Sequence, residues 1–276
     1  MATRKQKIGA VAFAGALVLS LGLSLGVSAP AAAGDDPWQD IHRDVFDSRA
    51  VVEDGLVTLE APYRAEDAAV VPITMRIPAS AGEVKSLTLV IDKNPSPVVA
   101  TFHFGEAAGK GERMLSTRVR IDMYSNVRAI VETPDGKLHM ATQFVKASGG
   151  CSAAASKDAD EALASLGKIQ VRSFEDAAAK DRSPPVREAQ VMIRHPNFTG
   201  MQMDQVTRQY TPMRIVSELD VKRDGALIFA MESGISISEN PNFRFTYVPG
   251  NENVIEVTAK DTEGKVFTAT SAGKAS

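Results

Sequence analysis

The chain has 276 residues, with 31 Lys or Arg against 34 Asp or Glu, and since no acidic residue precedes Asp35, 28 basic residues face 34 acidic ones beyond the N-terminal segment, a net −6. That balance excludes a generic polyanion binder, which needs a basic face to displace counterions. A single cysteine, Cys151, excludes an intramolecular disulfide framework, so the core must rest on apolar packing.

The first 33 residues read as a secretory signal peptide. Arg4, Lys5 and Lys7 open the chain, residues 8–27 are uncharged and rich in Ala, Leu, Val and Gly, and Ala31-Ala32-Ala33 has the small-x-small pattern of a cleavage site. Export is expected, with the bacterial periplasm as destination and no membrane attachment after cleavage. About 240 residues remain, enough for one large or two ordinary domains.

Residues 35–47, with Trp38, are expected to form a helix against the first domain; Asp47 and its neighbours read as a solvated face. Then β patterning takes over. Val71, Ile73, Met75 and Ile77 alternate with Thr74 and Arg76, the period-2 signal of a half-buried strand. Residues 86–91 and 98–104 follow, with Phe102 and Phe104 on one face, His103 on the other, and Pro95 and Pro97 in the gap between the runs. Residues 117–123 and 127–131 alternate cleanly. Asp135-Gly136 is a hairpin dipeptide suited to a type I′ turn, after which Leu138, Met140, Thr142 and Phe144 return along a partner strand. Six or seven short strands at this spacing suggest a sandwich.

The pattern breaks over residues 148–183. Gly149-Gly150-Cys151-Ser152-Ala153-Ala154-Ala155-Ser156 is small, polar and glycine-led. A short helix is expected over 158–168, with Leu163 and Leu166 on one face, continued over 175–180; Ser183-Pro184-Pro185 then stiffens the chain. Beyond it, residues 191–193 open a strand, Ile215, Ser217, Leu219 and Val221 share a face, and Asp224-Gly225 marks another hairpin. Residues 227–231 follow, Phe243, Phe245 and Tyr247 alternate with Arg244 and Thr246, and residues 254–259 and 266–270 flank Thr262-Glu263-Gly264. The fold class is therefore all-β: two β-sandwich domains, at 34–148 and 185–276, joined by the Gly-Gly-Cys segment and a partly helical linker at 149–184.

His42, His103, His139 and His195 stand apart from one another and from Cys151, so no metal-ligand spacing appears, and neither a phosphate loop, a nucleophile elbow nor a nucleotide fingerprint is present; no cofactor is expected. Asn197-Phe198-Thr199 fits a glycosylation acceptor, a three-residue match that arises readily by chance. An odd cysteine in an exported chain is buried and inert, paired with another molecule, or a free reactive thiol. No bulky apolar residue lies from Ala147 to Ser156, which favours the last: an exposed thiol on a mobile tether whose removal leaves stability unchanged.

At Cys151 the sequence resembles the SoxYZ sulfur carrier family. Val70-Val71-Pro72-Ile73, Asn94-Pro95, Thr117-Arg118-Val119-Arg120, the run from Val127 to Thr133 with Asp135-Gly136-Lys137-Leu138, and Gly149-Gly150-Cys151 are similar to SoxY. Ile193-Arg194-His195-Pro196 with Thr199-Gly200, Ser238-Glu239-Asn240-Pro241, Phe243-Arg244-Phe245 and Asp261-Thr262-Glu263-Gly264 are similar to SoxZ. The resemblance implies immunoglobulin-like sandwiches, Cys151 as covalent attachment site for sulfur intermediates, and Gly149 and Gly150 as a flexible arm. It implies a carrier rather than an enzyme, with periplasmic sulfur-oxidation enzymes as partners. Here Ser152 and Ala153 replace the two glycines that end the family's arm, and the chain runs on into the second half. That is the pattern of fused SoxYZ-like carriers associated with a quinoprotein dehydrogenase, which implies a pyrroloquinoline-quinone dehydrogenase as alternative partner. Two other classes stand beside the carrier: a non-catalytic interaction module, and a cysteine-based redox enzyme, for which the chain has no resolving cysteine.

Overall fold

A computed structural model describes residues 36–154, 163–174, 185–204 and 207–271. The expected signal peptide, residues 158–162 of the expected helix over 158–168 and its continuation over 175–180 lie outside them.

The first described element is helix α1 (Pro37–Phe46). Asp36 caps it, its carboxylate accepting from the N–H of Trp38 at 3.2 Å, and Pro37 sits in the first turn, where a missing N–H is harmless. The chain leaves the helix through Asp47 in the left-handed region, φ 51°.

The rest is β. In order come β1 (Val51–Val52), β2 (Thr58–Glu60), β3 (Val71–Ile77), β4 (Ser86–Ile91), β5 (Val98–Phe104), β6 (Arg113–Val119), β7 (Ser125–Glu132) and β8 (Leu138–Val145). Then follow β9 (Ile169–Phe174), β10 (Arg187–Ile193), β11 (Val216–Arg223), β12 (Ala226–Ser233), β13 (Asn242–Tyr247), β14 (Ile255–Asp261) and β15 (Val266–Thr270).

The all-β sandwich expected from the alternation is present, but its two halves are not separate layers of packing. One sheet of nine strands runs β1-β8-β7-β4-β5-β12-β11-β14-β15, and a facing sheet of six runs β2-β3-β6-β13-β10-β9. Both cross from the first half to the second. In the larger sheet β5 pairs antiparallel with β12, from Phe104↔Phe229 to Ala100↔Ser233; in the smaller, β6 meets β13 at Ser116↔Arg244 and Leu115↔Phe245. Edge strands exposed by either half are thereby covered by the other. One apolar cluster spans the seam, holding Ile73, Leu89 and Phe102 with Val191, Phe229, Phe243 and Phe245. Phe102 meets Phe229 and Phe243 edge-on at 5.8 and 6.2 Å, and Phe229 meets Phe245 at 5.2 Å. Such pairs add to their area burial.

Two local differences from the expected pattern have simple causes. β4 is buried at every position rather than alternately, because α1 covers the outer face of the sheet. There Ile41, Phe46 and Trp38 pack on Val90, Ile130, Leu138 and Met140. The second difference lies in the segment expected to be linker, where Ile169–Phe174 is a strand paired along β10. The hairpins also differ from one another. Asp224 and Gly225 both have positive φ, as a type I′ turn requires, whereas at Asp135-Gly136 only the glycine does. Among the described residues no helix is long and apolar enough to cross a membrane.

Candidate functional site

The site forms where both sheets end. After β6 the chain no longer pairs in the ladder: the N–H of Arg120 donates to the carbonyl of Ser236 at 2.7 Å, and that of Ile121 to Ala68 at 2.9 Å. Buried Asn94 holds this turn. Its amide donates to the carbonyl of Arg120 at 2.7 Å and to Ser236 Oγ at 2.9 Å, and its side-chain oxygen accepts from the N–H of Asp122 at 2.9 Å.

Gly149-Gly150-Cys151 lies along that turn. The N–H of Gly149 donates to the carbonyl of Asp122 at 2.8 Å, and the N–H of Gly150 to that of Ile121 at 3.0 Å. The glycines were expected to be a flexible arm; here each fits a fixed backbone. Gly149 has φ +79°, which a residue with a Cβ adopts only with strain. A Cβ on Gly150 would stand 2.1 Å from the carbonyl oxygen of Ala68 and 2.7 Å from that of Ile121.

Cys151 was expected to be exposed. It is fully buried, at 0% relative exposure. Its N–H donates to Asp122 Oδ1 at 3.3 Å, and its carbonyl accepts from Thr199 Oγ1 at 2.7 Å. The cover comes from chain-distant groups rather than from neighbours in sequence. Thr199 sits on a buried loop of the second half, and its N–H is held by Gln202 Oε1 at 3.0 Å while Gln202 Nε2 donates to the carbonyl of Ala153 at 3.1 Å. Asn197, in the discounted glycosylation triplet, is itself buried and accepts from the N–H of Val216 at 3.1 Å. Burial first, then the negative charge of Asp122, pushes the Cys151 thiol up to about 12, against the opposing pull of Arg120. In this state the group is a neutral thiol and a poor nucleophile.

Arg120 is the unexpected member. It is 1% exposed. Its Nη1 and Nη2 reach the carbonyls of Gly150 and Asn197, each at 3.4 Å, and its Nε has no hydrogen-bond partner. Burial lowers its pKa; Glu239, Cys151 and Asp67, in that order, act in the other direction. Behind the loop, His195 accepts from the N–H of Asn197 at 3.1 Å through Nδ1, and Asp261, 3.6 Å from its Nε2, is held by Arg214 at 2.9 Å. Among the described residues no group of three or more His, Cys, Asp or Glu could hold a metal ion.

Sequence reasoning singled out Cys151, Gly149 and Gly150 and missed Arg120, Asp122, Thr199 and Gln202 as their surroundings. Arg120 and Thr199 did lie in the stretches that carried the family resemblance.

Residues 42–151 match the family model for sulfur oxidation protein SoxY, and residues 173–272 that for sulphur oxidation protein SoxZ. No curated protein matches the sequence. Among solved structures, the sulfur carrier protein SoxY from Chlorobium limicola f thiosulfatophilum is similar at 29% identity over 40% of this chain and 91% of that one, with a TM-score of 0.34. A superoxide reductase (neelaredoxin) from Ignicoccus hospitalis is similar at 12% identity over 39% of this chain and 90% of that one, with a TM-score of 0.27. The sequence matches, not these distant likenesses, carry the assignment. The first match ends on the one cysteine and the second runs through the loop that covers it; the chain belongs to the SoxYZ sulfur carriers, with both partners fused in one polypeptide.

Proposed function

We propose that this chain is a periplasmic covalent carrier in which Cys151 takes up sulfur-containing intermediates and presents them to sulfur-oxidation enzymes, alternating between the sheltered state described above and an undocked one. The carrying observation is the position of Cys151 at the end of the SoxY match, seated under a loop of the SoxZ match by hydrogen bonds rather than by an apolar core. Contacts of that kind are few and exchange readily for water. In the undocked state the thiol returns toward its ordinary pKa near 8.5, and its thiolate attacks a sulfur centre.

Tetrathionate provides the test. The Cys151 thiolate displaces thiosulfate, which leaves with the electron pair of the broken S–S bond, and a Cys–S–SSO3-type adduct forms by the new S–S bond. Intact-mass spectrometry of the full chain should show one –SSO3 group, absent from Cys151→Ser. A second reading, an interaction module for a pyrroloquinoline-quinone dehydrogenase, is favoured by the complete burial of Cys151. It prevails if the native protein stays unmodified after long incubation while the denatured chain reacts.

Export through residues 1–33 has its own check. N-terminal analysis of the protein recovered from the periplasm should find the mature end near Ala33; an intact leader would overturn it.

A further inference from the structure

A buried guanidinium ordinarily has a carboxylate beside it, and this molecule shows what that looks like. Arg128, also buried, forks onto Asp92 through Nε and Nη2 at 2.8 Å and stacks on Trp38 at 4.3 Å. Arg120 is buried more deeply and has no such match. Among the described residues no carboxylate reaches ion-pair distance of it, and Glu239 and Asp67 act on it only at longer range. Its hydrogen bonds are two long ones to carbonyl oxygens, and Nε is unpaired. Burying a charge without a hydrogen-bonded counterion is strongly unfavourable. The one group beside it whose charge changes with function is Cys151, next in sequence to the Gly150 carbonyl that Arg120 contacts.

We propose that Arg120 is the counter-cation of the docked cargo: it makes the sheltered site favour an adduct on Cys151 that ends in an anionic oxygen group over a neutral adduct of the same size. The proposal rests on the carrier reading for its biological meaning, and it deepens that reading by naming the charge class of what is held. Asp122, whose carboxylate accepts from the N–H of Cys151, opposes any such anion. Preference for anionic cargo therefore requires Arg120 to outweigh Asp122. Arg120 acts as a positioning residue, holding the adduct in the docked state rather than forming or breaking its bonds.

Two isosteric thioethers isolate the charge. The full chain is alkylated at Cys151 in denaturant with iodoacetate or with iodoacetamide and refolded, giving a carboxymethyl or a carbamidomethyl group; steric effects are matched and the charge differs. In the wild type the carboxymethyl protein should be stabilised about tenfold in its folding equilibrium relative to the carbamidomethyl protein, about 1.4 kcal/mol, which raises Tm by roughly 3–5 °C. Arg120→Met should abolish or invert the difference, and Arg120→Lys should restore part of it. Equal midpoints, or a more stable carbamidomethyl form, in the wild type overturn the proposal, and this comparison needs no variant to fold. The tetrathionate experiment is independent of it. Loss of the carrier function with a retained carboxymethyl preference would leave Arg120 as an anion-recognising group, while the reverse result would remove Arg120 and leave the carrier.

Discussion

Cys151 and Gly150 together set the state of the site. A serine at 151 places a hydroxyl where the thiol is now enclosed; an unpaired buried hydroxyl costs about 1–3 kcal/mol, and Cys151→Ser should lower the denaturation midpoint accordingly rather than leave it unchanged. The native thiol should also react slowly with iodoacetamide at neutral pH. The sign follows from the raised pKa. Well below about pH 8.5 the thiol is protonated in docked and undocked forms alike, so docking is at full strength; above that value the undocked form ionises first, and docking weakens as pH rises toward about 12. Modification should therefore go on accelerating as pH rises past about 8.5, where the rate for a free thiol levels off. Gly150→Ala should speed it at neutral pH, because the added methyl collides with the Ala68 carbonyl and dislodges the segment. An alkylation rate in Gly150→Ala equal to that of the parent would mean the segment is not held by this contact. None of this was readable from residues 147–156, which are small and polar. The burial of Gly150 and Cys151 is supplied by Ala68, Ile121 and Thr199, groups remote in sequence, and local composition carries no record of them.

At the level of elements, the alternation in β3 and β13 was legible, since one face of each meets the facing sheet: Val71, Ile73, Met75 and Ile77 are buried, as are Phe243, Phe245 and Tyr247. β9 was overlooked although Ile169 and Val171 alternate with Gln170 and Arg172; the Ala-, Glu- and Lys-rich sequence before it suggested a helical linker. The pairing of β5 with β12 was not legible at all. Alternation identifies a strand's faces but not its neighbours. Phe102, Phe229, Phe243 and Phe245 meet edge-on at the seam, so Phe229→Ala, which empties the contacts to Phe102 and Phe245, should destabilise by about 3–5 kcal/mol. Chemical denaturation followed on both halves should show them losing structure together, and two separated transitions would contradict the shared sheets.

For the molecule as a whole, acidity is the readiest test of the second half's interior. Burial holds His195 below its ordinary range, ahead of the opposing effects of Asn197 and Asp261. A base whose folded pKa is depressed contributes stability that is present above the unfolded value, about 6.5, and is lost as pH falls below it. Denaturation midpoints should therefore drop between about pH 7 and 5, and the drop should be shallower in His195→Gln. An unchanged slope would place the acid sensitivity elsewhere.

The shared sheets have a further consequence. Two carrier partners held by such a seam as separate chains would part on dilution, because their association is second order and their fraction joined falls with concentration. Joined in one polypeptide, the same seam closes as a first-order event, set by the local concentration that the connection imposes. The proportion of sheltered cysteine then becomes a property of each molecule and not of how many are present. A cell that makes very little of this protein obtains the same degree of protection for the thiol as one that makes a great deal.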